Sequence, residues 1–148
     1  GFTIARVDDE VEPSPMTIAA SFINTDWAAK NKDVVRRFFV AYLKATRDYC
    51  LAYHSGPNRK EVMEIAFKNG LETSVDVIDK TEWTGRSMNG AVNMKSVMDQ
   101  QTFYIEQGFV ERAMPESKIY TTEYIDYAVS KLGPAPAVNP ASKLEGCR

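Results

Sequence analysis

The sequence of 148 residues is long enough for one globular domain, and its 44% hydrophobic and 26% charged content is typical of a folded chain, not of a disordered or membrane-embedded one. Its net charge of -2 gives no electrostatic case for binding nucleic acid or an anionic membrane. No apolar run approaches the roughly 20 residues that span a bilayer, and no basic signal-peptide segment opens the chain.

Residues 1–15 alternate weakly between apolar and polar types and then become acidic at Asp8–Glu10. Pro13 and Pro15 follow, and proline interrupts continuous strand pairing because it has no backbone N–H. The pattern predicts a short edge strand or an extended arm.

The next segment, 16–23 (MTIAASFI), is apolar, partly β-branched and bounded by Pro15 and by Asn24-Thr25-Asp26. These features are typical of a buried strand followed by a turn. The chain offers few other segments with which this strand could pair.

A long amphipathic helix is predicted from Asn31 to Tyr53, because apolar residues recur at three- and four-residue spacing. Its end is marked by Gly56-Pro57. The predicted buried side consists of Val35, Phe38, Phe39, Tyr42, Leu43, Ala45, Tyr49 and Tyr53, and the predicted solvent side consists of Arg36, Arg37, Lys44, Arg47 and Asp48.

Four further helices are indicated by capping residues and glycine stops. Asn58 begins the first with a capping-box arrangement that includes Glu61, and Ser74, Asn93 and Thr122 cap the others. Between them, residues 83–93 form a long glycine-containing loop, and the proline-rich residues 134–148 are expected to be a flexible tail.

The motifs of catalysis and metal binding are missing from the sequence. His54 is the only histidine, and there is no CxxC, HExxH, GxSxG, P-loop or GxGxxG pattern. Asp76 and Asp79 share a helical face, but solvated carboxylates of this kind are far commoner than acid/base dyads. A buried structural thiol is favoured for Cys50 over a disulfide with Cys147. We therefore expect no catalytic residues, no metal and no cofactor.

Three stretches carry a family resemblance: DWAAKNKDVVRRFFVAYLKATRDY, which leads into the long helix; NGAVNMKSVMDQQTFYIEQGFV, which begins in the loop; and YIDYAVSKLG in the last helix. They resemble the nitrate/sulfonate/taurine-type solute-binding proteins of bacterial ABC importers, a group that includes thiamine-precursor binders. The resemblance covers about residues 16–133 without a single diagnostic motif.

The resemblance implies an α/β, two-lobed periplasmic binding protein of type II, of which this chain is the C-terminal portion, mainly α-helical with one or two short strands. Residues 1–15 are then an extended arm or the end of the second lobe, 16–133 the C-terminal part of lobe one, and 134–148 the tail. The implied protein is not an enzyme, lies in the periplasm or is lipid-anchored outside the cytoplasmic membrane, and has its signal peptide outside this chain. Its implied partners are a small anionic or heterocyclic solute and an ABC permease.

Solute-binding sites use loops and helix N-termini that face a cleft, where amide groups favour anions. The candidate ligand-binding residues are Ser21 and Asn24 at the end of the predicted strand, and Trp83, Arg86 and Asn89 in the loop. For each, a structural role competes with binding: turn or cap for the first two, core packing for Trp83 and a solvated charge for Arg86.

Two other interpretations remain open. A self-contained helical protein-interaction module is the alternative function, and the family's thiamine-pyrimidine synthase branch is disfavoured because its cysteine-rich motif does not occur here. If the long helix and the strand at 16–23 normally pack on parts of lobe one outside this chain, the apolar surface left exposed is expected to cause self-association, with the 16–23 strands pairing across a two-fold axis.

Overall fold

The computed structural model describes residue 10, residues 12–144 and residues 146–147. This part of the chain contains no strand and no sheet and is 53% helix. The predicted α/β fold, with one or two short strands here, is therefore wrong, whereas the helical character agrees with the structure. The helices are α1 (Thr25–Lys30), α2 (Lys32–Tyr53), α3 (Arg59–Lys68), α4 (Val75–Lys80), α5 (Met94–Glu106), α6 (Glu116–Ile119) and α7 (Glu123–Leu132).

The chain forms two compact units. The first contains Gly1–Lys30 and Val92–Thr122, and the second contains Asn31–Ala91 and Glu123–Arg148. Most of the arm predicted for 1–15 lies outside the described residues. No helix in the described part is long and apolar enough to cross a membrane.

In the first unit, the start of α5 holds the backbone that precedes α1. The Asn93 amide nitrogen donates to the carbonyl oxygens of Pro13 and Pro15, each at 3.0 Å. The backbone N–H of Thr17 donates to Ser96 Oγ at 3.0 Å. Asn93 also caps α5, as predicted, because its side-chain oxygen accepts from the N–H of Ser96. One asparagine thus starts a helix and fixes the neighbouring segment.

Beyond this attachment, the segment predicted as a strand has no regular secondary structure. The last hydrogen bond of this attachment runs from Gln100 Nε2 to the Thr17 carbonyl, at 2.9 Å. Ile18 is then 59% exposed and Phe22 is 88% exposed. The prediction of a buried strand is wrong because an apolar, β-prone run forms a strand only where another strand completes its hydrogen bonds.

The second unit is organised around α2, which packs against α7 and α3. Its buried face includes Val35, Leu43 and Cys50, at 1%, 0% and 0% exposure. The predicted aromatic face is only partly correct, since Phe38 remains 52% exposed. The Phe39 ring instead stacks on Tyr124 of α7 at a centroid distance of 5.8 Å.

Local helix signals are confirmed at most ends. Ser74 caps α4 by accepting from the N–H of Val77 at 3.2 Å. The capping box at Asn58 is wrong, because that side chain makes no capping bond and its amide nitrogen donates to the Asp48 carbonyl at 2.8 Å. The predicted glycine stops after three helices have positive φ: Gly70 (78°), Gly108 (74°) and Gly133 (73°).

Replacing Leu43 with alanine is expected to lower the free energy of unfolding by about 2–5 kcal/mol, because the side chain is fully buried and its removal leaves a cavity. Urea denaturation followed by circular dichroism measures the change. Lys44→Ala, at the exposed neighbouring position, is the control and should change stability by less than about 0.5 kcal/mol. Equal losses in both variants would contradict the assigned face of α2.

Candidate functional site

The centre of the second unit is the side chain of Arg47 on α2, which is only 6% exposed. Its Nε donates to the Met88 carbonyl at 3.0 Å, and its Nη2 donates to Asn89 Oδ1 at 3.1 Å. The same guanidinium reaches the carbonyls that follow α7, Gly133 at 2.9 Å and Pro134 at 3.4 Å. One side chain therefore joins the long helix, the loop and the end of the last helix.

The acceptors of Arg47 explain how a positive charge is kept inside the unit. All four are neutral carbonyl oxygens, and two of them, Gly133 and Pro134, follow the C-terminus of α7. A helix C-terminus carries unsatisfied carbonyls and a partial negative charge, which stabilises a cation. The rigid guanidinium supplies several donors in one plane, so it can serve these acceptors together.

The sequence prediction that placed Arg47 on the solvent side of α2 is wrong. Leu43, Arg47, Cys50 and His54 follow one another at spacings of four, three and four residues and are all buried. This spacing is a sequence signal of one helical stripe. The prediction followed the aromatic residues instead, of which only Tyr53 is buried, while Phe38 is exposed and the others are half-buried.

Substituting Arg47 with methionine is expected to lower the free energy of unfolding by at least about 3 kcal/mol, because several charge-assisted hydrogen bonds are lost and buried carbonyls remain unpaired. Chemical denaturation measures the loss. Arg37→Met, on the exposed side of the same helix, is the matched control and should change stability little. A stable Arg47→Met protein would show that the hydrogen bonds make no net contribution.

In the same unit as Arg47, two aromatic rings and two guanidinium groups form a stack. Tyr49 and Trp83 stack at a centroid distance of 5.2 Å. The Arg59 guanidinium lies over the Trp83 ring at 4.4 Å, and Arg86 lies over Tyr49 at 5.3 Å. Cations over ring faces interact favourably with the ring quadrupole. We call these four residues the loop stack.

The two ends of the loop stack differ in their electrostatic partners. Arg59 is neutralised by Asp79, with a nitrogen–oxygen distance of 3.0 Å. Arg86 is exposed, and no carboxylate in the described part of the chain forms an ion pair with it. The Arg86 end therefore offers guanidinium donors to an anion from solvent.

The predicted loop residues lie in this region, with different surroundings. Trp83 is half-buried, and its indole N–H donates to the Ile78 carbonyl at 2.9 Å. Asn89 is exposed, while its side-chain oxygen accepts from Arg47. Tyr49 was not among the predicted site residues, although its hydroxyl, donating to the Thr84 carbonyl at 2.8 Å, helps to fix the loop. Binding by Trp83, Arg86 and Asn89 stays a prediction.

The other two predicted site residues lie in the first unit. Asn24 Oδ1 accepts from the N–H of Trp27 at 2.9 Å, which is the geometry of a helix cap at the start of α1. Ser21 is exposed in the irregular segment before it. A role of either residue in ligand binding also stays a prediction.

The C-terminal residues pack on the second unit through a disulfide between Cys50 and Cys147, with Cα atoms 5.2 Å apart. The buried free thiol favoured for Cys50 is therefore wrong. The disulfide lies in a core cluster with Tyr53 and Met88, and Val138 of the tail packs against that cluster. Spacing along the sequence could not reveal this pair, because the two residues are 97 positions apart.

His54, which is 1% exposed, binds the same tail from the end of α2. Its Nδ1 lies 2.7 Å from Ser142 Oγ, and its Nε2 lies 3.2 Å from the Cys147 carbonyl oxygen. A carbonyl only accepts, so Nε2 carries the proton and donates to Cys147.

The surroundings of Ser142 and His54 fit a structural role for this pair. Ser142 Oγ also accepts the backbone N–H of Leu144 at 3.3 Å, and the imidazole is almost fully enclosed. A nucleophile and its base must both reach a substrate. We therefore assign to His54 and Ser142 the structural role of holding the tail.

Replacing both cysteines with alanine is expected to lower the free energy of unfolding by about 2–5 kcal/mol, since the disulfide closes a long loop in the unfolded chain. Denaturation measures the loss, and limited trypsin digestion reports the tail, through faster cleavage after the exposed Lys143. Cleavage after Lys44, on α2, serves as the internal control. Unchanged cleavage at Lys143 would mean that the tail stays docked without the disulfide.

In the described part of the chain, no group of three or more histidine, cysteine, aspartate or glutamate side chains is placed to hold a metal ion. Comparison with known proteins finds no matching family model, no similar curated protein and no similar solved structure.

Proposed function

We propose that this chain is part of the substrate-binding component of a bacterial ABC importer for a small anionic or heterocyclic solute. The proposal concerns function and attributes no sheet to these residues. The observation that carries it is the position of Arg47. This residue belongs to the first of the three family-like stretches, and its acceptors Asn89 and Gly133 belong to the second and third. Arg47 thus joins one residue from each of the other two stretches to the first.

A periplasmic location is supported by the disulfide between Cys50 and Cys147. Disulfides form and persist in oxidising compartments such as the bacterial periplasm and are rare in the cytosol. An importer's binding component works in that compartment, on the side of the membrane from which the solute arrives.

The solute class is supported by the exposed end of the loop stack. Arg86 supplies a guanidinium whose planar donors suit sulfonate, nitrate or carboxylate groups. Its guanidinium lies over the Tyr49 ring, and Asn89 is exposed three residues further on. In the proposed binding protein two lobes enclose the solute, so we assign tight binding to the complete reading frame in the gene and not to these residues alone.

A thermal-shift screen tests this function. The complete reading frame is expected to be stabilised by one member of a panel of taurine, alkanesulfonates, nitrate and pyrimidine thiamine precursors, by about 2.7 kcal/mol at a hundredfold excess over the dissociation constant. The chain alone should show no comparable shift. Sequencing the flanking DNA should find permease and ATPase genes. No response to any member, together with no transporter genes, would overturn the proposal.

Arg86→Ala in the complete protein is expected to weaken anion binding about 10- to 100-fold, which corresponds to the 1.5–3 kcal/mol of a hydrogen bond to a charged group. Isothermal titration measures the dissociation constant. Arg37→Ala removes an exposed arginine of α2 and is the charge-matched control. Equal effects of the two substitutions would indicate a general loss of positive charge and no site at Arg86.

A second candidate function is a helical protein-interaction module. It is favoured by an apolar stripe on the exposed side of α2, where Val34 is 43% exposed and Phe38 is 52% exposed. Ala41 and Ala45 continue the stripe at heptad spacing and are also exposed. If the complete reading frame binds no solute while Phe38→Glu abolishes capture of a defined protein partner, this function replaces the first.

A further inference from the structure

The segment Ile18–Ile23 in the first unit combines exposed apolar side chains with an unpaired backbone. Every residue from Ile18 to Phe22 is exposed, and Ile23 is half-buried. No backbone N–H or carbonyl of Ile18–Ile23 has a hydrogen-bond partner anywhere in the described residues. The segment is anchored at one end by Thr17 and followed at the other by α1. The segment is therefore attached to the unit at its two ends, while its own backbone groups have no hydrogen-bond partner in the described residues.

The composition of this segment suits pairing with another extended chain. Residues 16–23 contain no charge and no proline, and they include the β-prone Thr17, Ile18, Phe22 and Ile23. Unpaired backbone flanked by apolar side chains is the feature by which exposed edges recruit further strands. In the described part of the chain the segment is not a strand, because no second segment pairs with its backbone.

We propose that two copies of this chain associate by antiparallel pairing of Ile18–Phe22 across a two-fold axis at Ala20. A second copy is the occupant that the observations favour, because it presents the same unpaired segment. Like charges cannot oppose each other, since the segment has none. The proposal concerns the 148-residue chain itself and is independent of the proposed transport role.

The attachment of Thr17 limits the register. Its N–H and carbonyl are already bonded to Ser96 and Gln100, so Thr17 cannot join the ladder. In antiparallel pairs, hydrogen-bonded and non-hydrogen-bonded positions alternate. With the two-fold axis at Ala20, the register that leaves Thr17 out bonds Ile18 to the partner's Phe22 and Ala20 to the partner's Ala20, with about six hydrogen bonds in total.

This register also covers the exposed apolar side chains. Ile18, Ala20 and Phe22 lie on one face of an extended chain because side chains alternate. Each Ile18 then faces the partner's Phe22, a β-branched and aromatic pair that is favourable across strands. The small Ala20 at the two-fold axis leaves room for both pairs. The two large exposed side chains of the segment, Ile18 and Phe22, are covered by each other.

Single cysteine substitutions test the register. Opposed residues of a hydrogen-bonded pair have Cα atoms about 5.5 Å apart, within reach of a disulfide. Ala20→Cys is therefore expected to form a covalent dimer under mild oxidation, identified on a non-reducing gel and by mass spectrometry of the linked peptide. Ala19→Cys is the matched control and should not link, because Ala19 opposes the partner's Ser21. Equal linkage at both positions, or none at Ala20, overturns the register.

Sedimentation velocity tests the association without cysteines. The chain is expected to form dimers whose dissociation constant rises at least tenfold in Phe22→Lys and in Ala20→Pro, which removes an N–H from the pairing. Phe109→Lys is the control, since Phe109 is 75% exposed in the same unit. Circular dichroism checks that each variant is folded. A strictly monomeric chain, dimers that survive both substitutions, or dimers lost equally in Phe109→Lys would each overturn the proposal.

Discussion

The second unit depends on the burial of one positive charge. Removing a guanidinium from water costs several kcal/mol unless its donors are satisfied. Arg47 meets this requirement with oxygens from three places: Met88, Asn89 and the residues that follow α7. These acceptors must therefore be present together before the unit is stable. The loop from 83 to 93 brings the Met88 carbonyl and the Asn89 side chain to the arginine, and the carbonyls that follow the C-terminus of α7 lie at the same group.

The position of the tail also depends on hydrogen bonds that satisfy polar groups. His54 follows the last residue of α2. Each of its two ring nitrogens can form a hydrogen bond only if a polar group of the chain lies beside it. Ser142 and Cys147 do so, and the disulfide to Cys50 adds a covalent link on the adjacent helical turn. A proline-rich segment without apolar periodicity is therefore held at one helix end by the His54 ring, by the His54 carbonyl, which accepts from the Asn139 amide nitrogen, and by the disulfide. The close approach of Gly146 to Gly85 requires that neither residue carry a side chain.

The sequence predicts what local chemistry determines. The caps at Ser74 and Asn93 and the long helix from Asn31 could be predicted because each depends on residues a few positions apart. The loop residues Arg86 and Asn89 could be selected as candidates, since long loops often carry function. The buried role of Arg47 and the partner of Cys50 could not, because both are set by residues distant in sequence. The Tyr49 contact with Arg86 was missed for the same reason.

The segment 16–23 shows where prediction from local residue preferences fails. Its β-propensity is a statement about a pleated, half-buried surface, and the free energy is gained only when a second strand supplies the ladder and covers the side chains. Within one chain the polar stripe of α5 satisfies Thr17 and reaches no further, so Ile18 and Phe22 remain in solvent. The conflict between local preference and available partners is thus confined to five or six residues. An uncharged segment in this state lowers its free energy by pairing outside the chain, and its anchored end limits which register that pairing can adopt.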